Sequence, residues 1–118
     1  VAFLTDLATH INTWVSANYL RGISMTTQTS LTCNFATYNY IKAEISVNSS
    51  FVLSNVPTNK VVTILIKNTG ASTITITLPN TADAKAGDAY TIQASKYREF
   101  SILYDGTTRY WQVSEELT

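Results

Sequence analysis

From Tyr38 onward the apolar residues of this chain recur at every second position, in short runs broken by turn residues. Ile41, Ala43, Ile45 and Val47 alternate with Lys42, Glu44 and Ser46, the pattern of a strand with one face buried. Ile74, Ile76 and Leu78 alternate with Thr73, Thr75 and Thr77 until Pro79-Asn80 stops the run. Tyr90, Ile92 and Ala94 repeat the pattern, as do Phe100, Ile102 and Tyr104 against Glu99, Ser101 and Leu103. Residues 61–66 differ: Val62, Ile64 and Ile66 share one face, while Val61, Thr63 and Leu65 leave the other mixed. Such a strand is expected to be covered on both sides, inside a sandwich or at a subunit contact.

Turn signals separate the runs. Asn48-Ser49-Ser50 precedes the short segment Phe51-Val52-Leu53, and Asn68-Thr69-Gly70-Ala71-Ser72 predicts a hairpin loop. Ala86-Gly87-Asp88 marks a further turn, and Asp105-Gly106 a hairpin whose returning strand is Tyr110 to Val113. Turns spaced by about eight to twelve residues predict an all-β domain. The expectation for residues 37–118 is an antiparallel β-sandwich, jelly-roll-like.

The first twenty-two residues follow another rule. Leu4, Leu7, Ile11 and Trp14 recur at steps of three and four, which is helix periodicity and also a short a/d seam. Thr5 or Asp6 can cap the start, and Gly22 suits the end. A lone helix of about fifteen residues is marginal in water, so this one needs a partner: its own β-domain or, in a coiled-coil neck, other copies of itself. Between neck and head, residues 23–36 are rich in Thr and Ser without a clear period and read as a linker or a weak strand. The chain begins at Val1, from which a fragment or processed product is expected.

Composition narrows the function. Charged residues make up 14 % of the chain and the formal net charge is +0, against roughly 25 % charged residues in ordinary soluble domains. Thr, Ser and Asn supply about a third of the residues instead. No nucleic-acid partner is expected, because phosphate binding needs clustered Lys and Arg. No apolar run approaches the roughly eighteen residues of a membrane span, so no membrane insertion is expected.

Reactive constellations are sparse. His10 is the single histidine, and with Asp6 four residues earlier it supplies two metal ligands, unless trimer symmetry sets three copies of it around an axis; Leu7, Ile11 and Trp14 already claim that seam and leave His10 beside it. Cys33, the single cysteine, has no cationic neighbour in sequence to favour a thiolate and reads as an inert buried thiol. Asp88 and Asp105 sit in turns, where Asp is expected anyway, and Glu44 and Glu99 alternate outward on strands. With four glycines at turn-like or helix-end positions, no phosphate loop is present. Neither a catalytic residue, a metal site nor a cofactor is expected. Aromatics offer the alternative: Tyr97 and Tyr110, on faces opposite their core-facing neighbours, are candidates for ligand contact by stacking on sugar rings.

The ordered set Phe51-Val52-Leu53, Val62 to Lys67 running into Asn68-Thr69-Gly70, and Ile74 to Pro79 resembles a β-module of bacteriophage head and tail fibres. Gly87, Thr91 to Ala94, Glu99 to Thr107 and Trp111-Gln112-Val113 complete the resemblance, which covers a little over half the chain. It implies a structural, non-enzymatic homotrimer at the virion surface, with a helical or β-helical stem entering three packed heads. Leu4, Leu7, Ile11 and Trp14 of the neck, with Val61 and Leu65 of the head, are then the expected trimer-interface residues. Implied partners are other virion proteins and a host surface glycan or protein. The competing expectation is a monomeric carbohydrate-binding module of a secreted protein.

Overall fold

The computed structural model describes residues 7–8, 24–79 and 85–118, which form a mainly β fold. In chain order the described strands are β1 (Met25–Gln28), β2 (Thr32–Asn34), β3 (Tyr40–Ile45), β4 (Ser49–Ser50) and β5 (Val52–Ser54), followed by β6 (Val61–Asn68), β7 (Ile74–Thr77), β8 (Ala89–Ile92), β9 (Tyr97–Tyr104) and β10 (Arg109–Val113). They make a five-stranded sheet ordered β1-β3-β6-β9-β10, a pair β2-β5, and a three-stranded sheet β4-β7-β8.

The pairing is mixed, which corrects the antiparallel expectation. β1 on β3, β3 on β6, β2 on β5 and β4 on β7 all run parallel. Only the pairs β6-β9, β9-β10 and β7-β8 are antiparallel. The chain therefore makes successive passes around one core, each pass laying its strands on those of the pass before. The antiparallel strands β8, β9 and β10 then close the stack. Alternation along a strand reports which face is buried and is blind to the direction of the neighbour.

One turn assignment changes with it. The loop after β6 is no hairpin, since β6 and β7 belong to different sheets; it is a corner between them. Asn68, assigned to that loop, is the last residue of β6 and fully buried. Asp105-Gly106 does make the hairpin joining β9 to β10, with Gly106 at φ 97, a region open to glycine without penalty.

The inward rows close on a single cluster. Ile41, Ala43 and Ile45 of β3 meet Val62, Ile64 and Ile66 of β6, with Ile74, Ile76, Leu78 and Ile92 opposite. Phe100 packs edge-on against Phe51, centroids 5.3 Å apart, and against Trp111 at 6.4 Å. Val47, expected in this row, is exposed because β3 ends at Ile45. Residues 23–36, for which linker and weak strand stood as alternatives, contribute β1 and β2 and bury Leu31, Cys33 and Phe35. Asn68 is the polar member of the interior: its amide donates to the Ser72 and Ile92 carbonyls at 2.7 and 2.9 Å, and its Oδ1 accepts the Gly70 N–H at 2.9 Å. Buried polar atoms are tolerated when satisfied in this way.

The expected helical neck, with Leu4, Ile11, Trp14, Asp6 and His10, lies outside the described residues; Leu7 is described and exposed. No helix among the described residues is long and apolar enough to cross a membrane.

Candidate functional site

Strand alternation that sends Ile64, Phe100 and Ile102 inward sends their neighbours to the outer face of the five-stranded sheet. Register then builds rows across it. Val61 lies opposite Leu103, which lies opposite Tyr110. The next row on the same face is Met25, Tyr40, Thr63, Ser101 and Gln112. Beyond it come Thr27, Lys42, Leu65 and Glu99, and then Glu44, Lys67 and Tyr97.

The first row is the anomaly. Val61 is 58 % exposed, Leu103 44 % and Tyr110 48 %, so two aliphatic side chains and one aromatic stand side by side in solvent across three strands. Single exposed apolar residues are ordinary, but a contiguous set marks a surface that meets something. Val61, Ser101, Leu103, Tyr110 and Gln112, with Ile102 and Trp111, line a depression of about 380 Å³ there.

Polar groups hold the rest of the face. Thr63 Oγ1 and Ser101 Oγ lie 3.1 Å apart, and the Tyr40 hydroxyl donates to Glu99 Oε2 at 3.3 Å. Burial, then the charge of Glu99 and that bond, push the Tyr40 hydroxyl's pKa up. Lys42 and Glu44 are 3.9 Å apart, a partly exposed pair of small energetic weight. At the edge of the first row, Tyr110 donates its hydroxyl to Asp105 Oδ2 at 3.4 Å. Asp105 Oδ1 accepts the N–H groups of Thr108 and Thr107 at 2.7 and 2.8 Å. Those two bonds, Thr108 first, with the Tyr110 hydroxyl assisting, hold the Asp105 carboxyl below its ordinary range.

The residues singled out in the sequence are brought to one face but not to one spot. Val61 and Tyr110, expected as subunit contact and ligand contact respectively, share the depression. Leu65 sits half-buried in the middle of the sheet between Lys42 and Glu99. Tyr97 lies at the far end, six residues along β9 from Leu103, or about 20 Å at strand rise. There Lys67 Nζ stands 5.4 Å from the Tyr97 ring centre, and Leu117 pairs with the Tyr97 backbone. Within the one chain β6 is covered on one side: its Val62 row is buried, while on the other face Val61 is exposed and Thr63, Leu65 and Lys67 are half-buried.

Sequence reasoning missed Leu103 and Gln112, and register was the missing signal. It also missed two other depressions. One, of about 630 Å³, mixes the hydroxyl residues of 29–32, 46–50 and Thr69 with Glu44 and the aliphatic Leu31, Ile45 and Val47. Three of those hydroxyls are engaged: Ser49 with the Val47 carbonyl, Ser50 with Thr77 and Thr69 with Ile45. The other, of about 290 Å³, lies between Leu53 to Val56, Tyr104 and Arg109. Cys33 is wholly buried, and burial pushes its thiol up to about 12. Among the described residues no group of three or more His, Cys, Asp and Glu side chains is placed to hold a metal. Comparison with protein-family models, with curated proteins and with solved structures gives no match for this chain.

Proposed function

We propose that the chain is a non-enzymatic structural module of a bacteriophage fibre, a homotrimer carried at the virion surface that joins other virion proteins and contributes to host adhesion. The observation that carries the reading is the polarity of the strand stack. In all three sheets the first strand in sequence, β1, β2 or β4, lies at one edge. That edge is the one a stem entering from the upstream sequence would meet. In the two larger sheets the other edge is a strand added antiparallel, β10 or β8. A stack open to its upstream sequence and turned back at its downstream end suits a terminal module on a stem, as terminal repeats cap stacked architectures.

Three copies on one stem convert weak single contacts into a tight multivalent one, by factors of about 10² to 10⁴. The neck residues Leu4, Leu7, Ile11 and Trp14 would zip the copies together, with Leu65 available at the head. Separation of Tyr97 from Tyr110 speaks against an aromatic-lined platform of the kind a monomeric sugar-binding module uses.

Light scattering over a dilution series tests the assembly. A mass near three times 13.0 kDa is expected, and Ile11→Asp, which puts a charge in the apolar seam, should lower it. A monomer at every concentration would remove the trimeric fibre reading.

A further inference from the structure

We infer that the depression beside Tyr110 is a binding site for one neutral pyranose unit of a glycan. This goes beyond the fibre reading and stands without it, because every element of the site lies within one chain. The lining side chains Val61, Ser101, Leu103, Tyr110 and Gln112 include no charged group. They are ordered in two rows. Val61, Leu103 and Tyr110 give an apolar floor, and Ser101 and Gln112 give a polar border directly beside it.

The dimensions suit a sugar ring. Tyr110 and Gln112 are two residues apart on one strand face, and the floor crosses three strands, which makes a patch of about 7 by 10 Å. A pyranose presents an apolar C–H face to an aromatic or aliphatic floor and an equatorial belt of hydroxyls to its surroundings. The Gln112 side chain is exposed and brings both an amide donor and an acceptor to that belt. Ser101 adds a hydroxyl whose one neighbour in the sheet is Thr63. Tyr110 is held by its bond to Asp105, so little side-chain freedom is lost when a ring stacks on it.

Asp105 also sets the specificity. Its carboxylate accepts the Thr107 and Thr108 N–H groups and the Tyr110 hydroxyl, which places a negative charge at the rim. An acidic sugar would meet that anion, whereas a neutral one would not. A second copy of the chain is the competing occupant, but seating a protein here would strip water from Gln112 and Ser101, which costs free energy unless each finds a partner.

The test is amide-resolved NMR of the intact chain titrated with neutral hexaoses of glucose, galactose and mannose, and with hexagalacturonate as the acidic counterpart. Solution mass is measured on the same samples. Expected are shifts confined to Ser101, Leu103, Tyr110, Gln112 and their neighbours with at least one neutral sugar. Hexagalacturonate should bind at least about tenfold more weakly. Tyr110→Ala should weaken binding about tenfold and Gln112→Ala about threefold, while Tyr97→Ala leaves it unchanged. Tyr110 and Gln112 are exposed, so both variants should retain the parent spectrum away from the site. No shift with any neutral hexaose up to about 10 mM would overturn the assignment. Equal binding of the acidic sugar would overturn it too, as would the same amides shifting on dilution of protein alone, which would give the surface to a second copy. A monomeric mass with intact sugar shifts would sink only the trimer.

Discussion

The two faces of the five-stranded sheet are made from the same strands, residue by residue, and obey different rules. On β9, Phe100 and Ile102 are wholly buried while Leu103, one position on, stands 44 % exposed. Inside, the side chains answer to packed neighbours: Phe100 meets Phe51, Tyr90 and Trp111, with ring centres 5.3 to 6.4 Å away. Outside, the Val61 row stays exposed, its members meeting one another across the strands and Tyr110 adding the bond of its hydroxyl to Asp105. The inner face states how the molecule folds. The outer face is where the fold leaves a choice, and an apolar row kept there against the hydrophobic effect is the part that bears on function.

The sharpest way to break this comparison is from within. Phe100→Ala removes the ring around which Phe51, Tyr90 and Trp111 are arranged, on a strand paired on both sides. Loss of transfer energy and the cavity left behind together should cost about 3–5 kcal/mol. Urea unfolding followed by tryptophan fluorescence measures it. A loss below about 1 kcal/mol would mean that the core closes over the gap and that the inner face is less specified than its packing implies.

Asn68→Leu probes the polar exception on the buried side. The replacement is close in size but leaves the Ile92 carbonyl and the Gly70 N–H without their bonds to Asn68. Those bonds pin the corner between the two larger sheets, so about 3 kcal/mol of stability should be lost. Hydrogen exchange should show the amides of β7 and β8 opening first. Unchanged stability would demote this side chain from corner-holder to passenger.

How much of this was legible in the sequence divides along the same line. The inner face was: Ile41, Val62, Ile64, Ile66, Ile74, Ile76, Leu78, Phe100 and Ile102 are read from alternation, because period two is the imprint of one-sided burial. Strand direction was not. Ile41 would look the same against a parallel or an antiparallel partner, and its neighbour Ile64 lies twenty-three positions away. Asn68 reads as a loop residue because Asn beside Thr-Gly is turn chemistry; nothing local reveals that its amide reaches Ile92. On the outer face Val61 and Tyr110 were each singled out, for different reasons, but their meeting across Leu103 depends on two registers. Pairing across distant strands is a property of the whole chain, and a local pattern carries only half of it.

The smallest expected effect carries the most information about that face. Leu103→Thr replaces an exposed aliphatic with a β-branched polar residue suited to a strand, at a position outside the buried cluster. If the Val61 row is free in the folded chain, stability should move by no more than about 0.5 kcal/mol, a small fraction of the loss expected at Phe100 on the same strand. Chemical denaturation at two protein concentrations well apart is the measurement. A loss of about 2 kcal/mol or more that grows with concentration would show that Leu103 is covered by another copy, since only a bound partner makes stability depend on concentration. The outer row would then belong to assembly, the Val61 contact would return to the trimer, and the sugar would have to be sought in another depression.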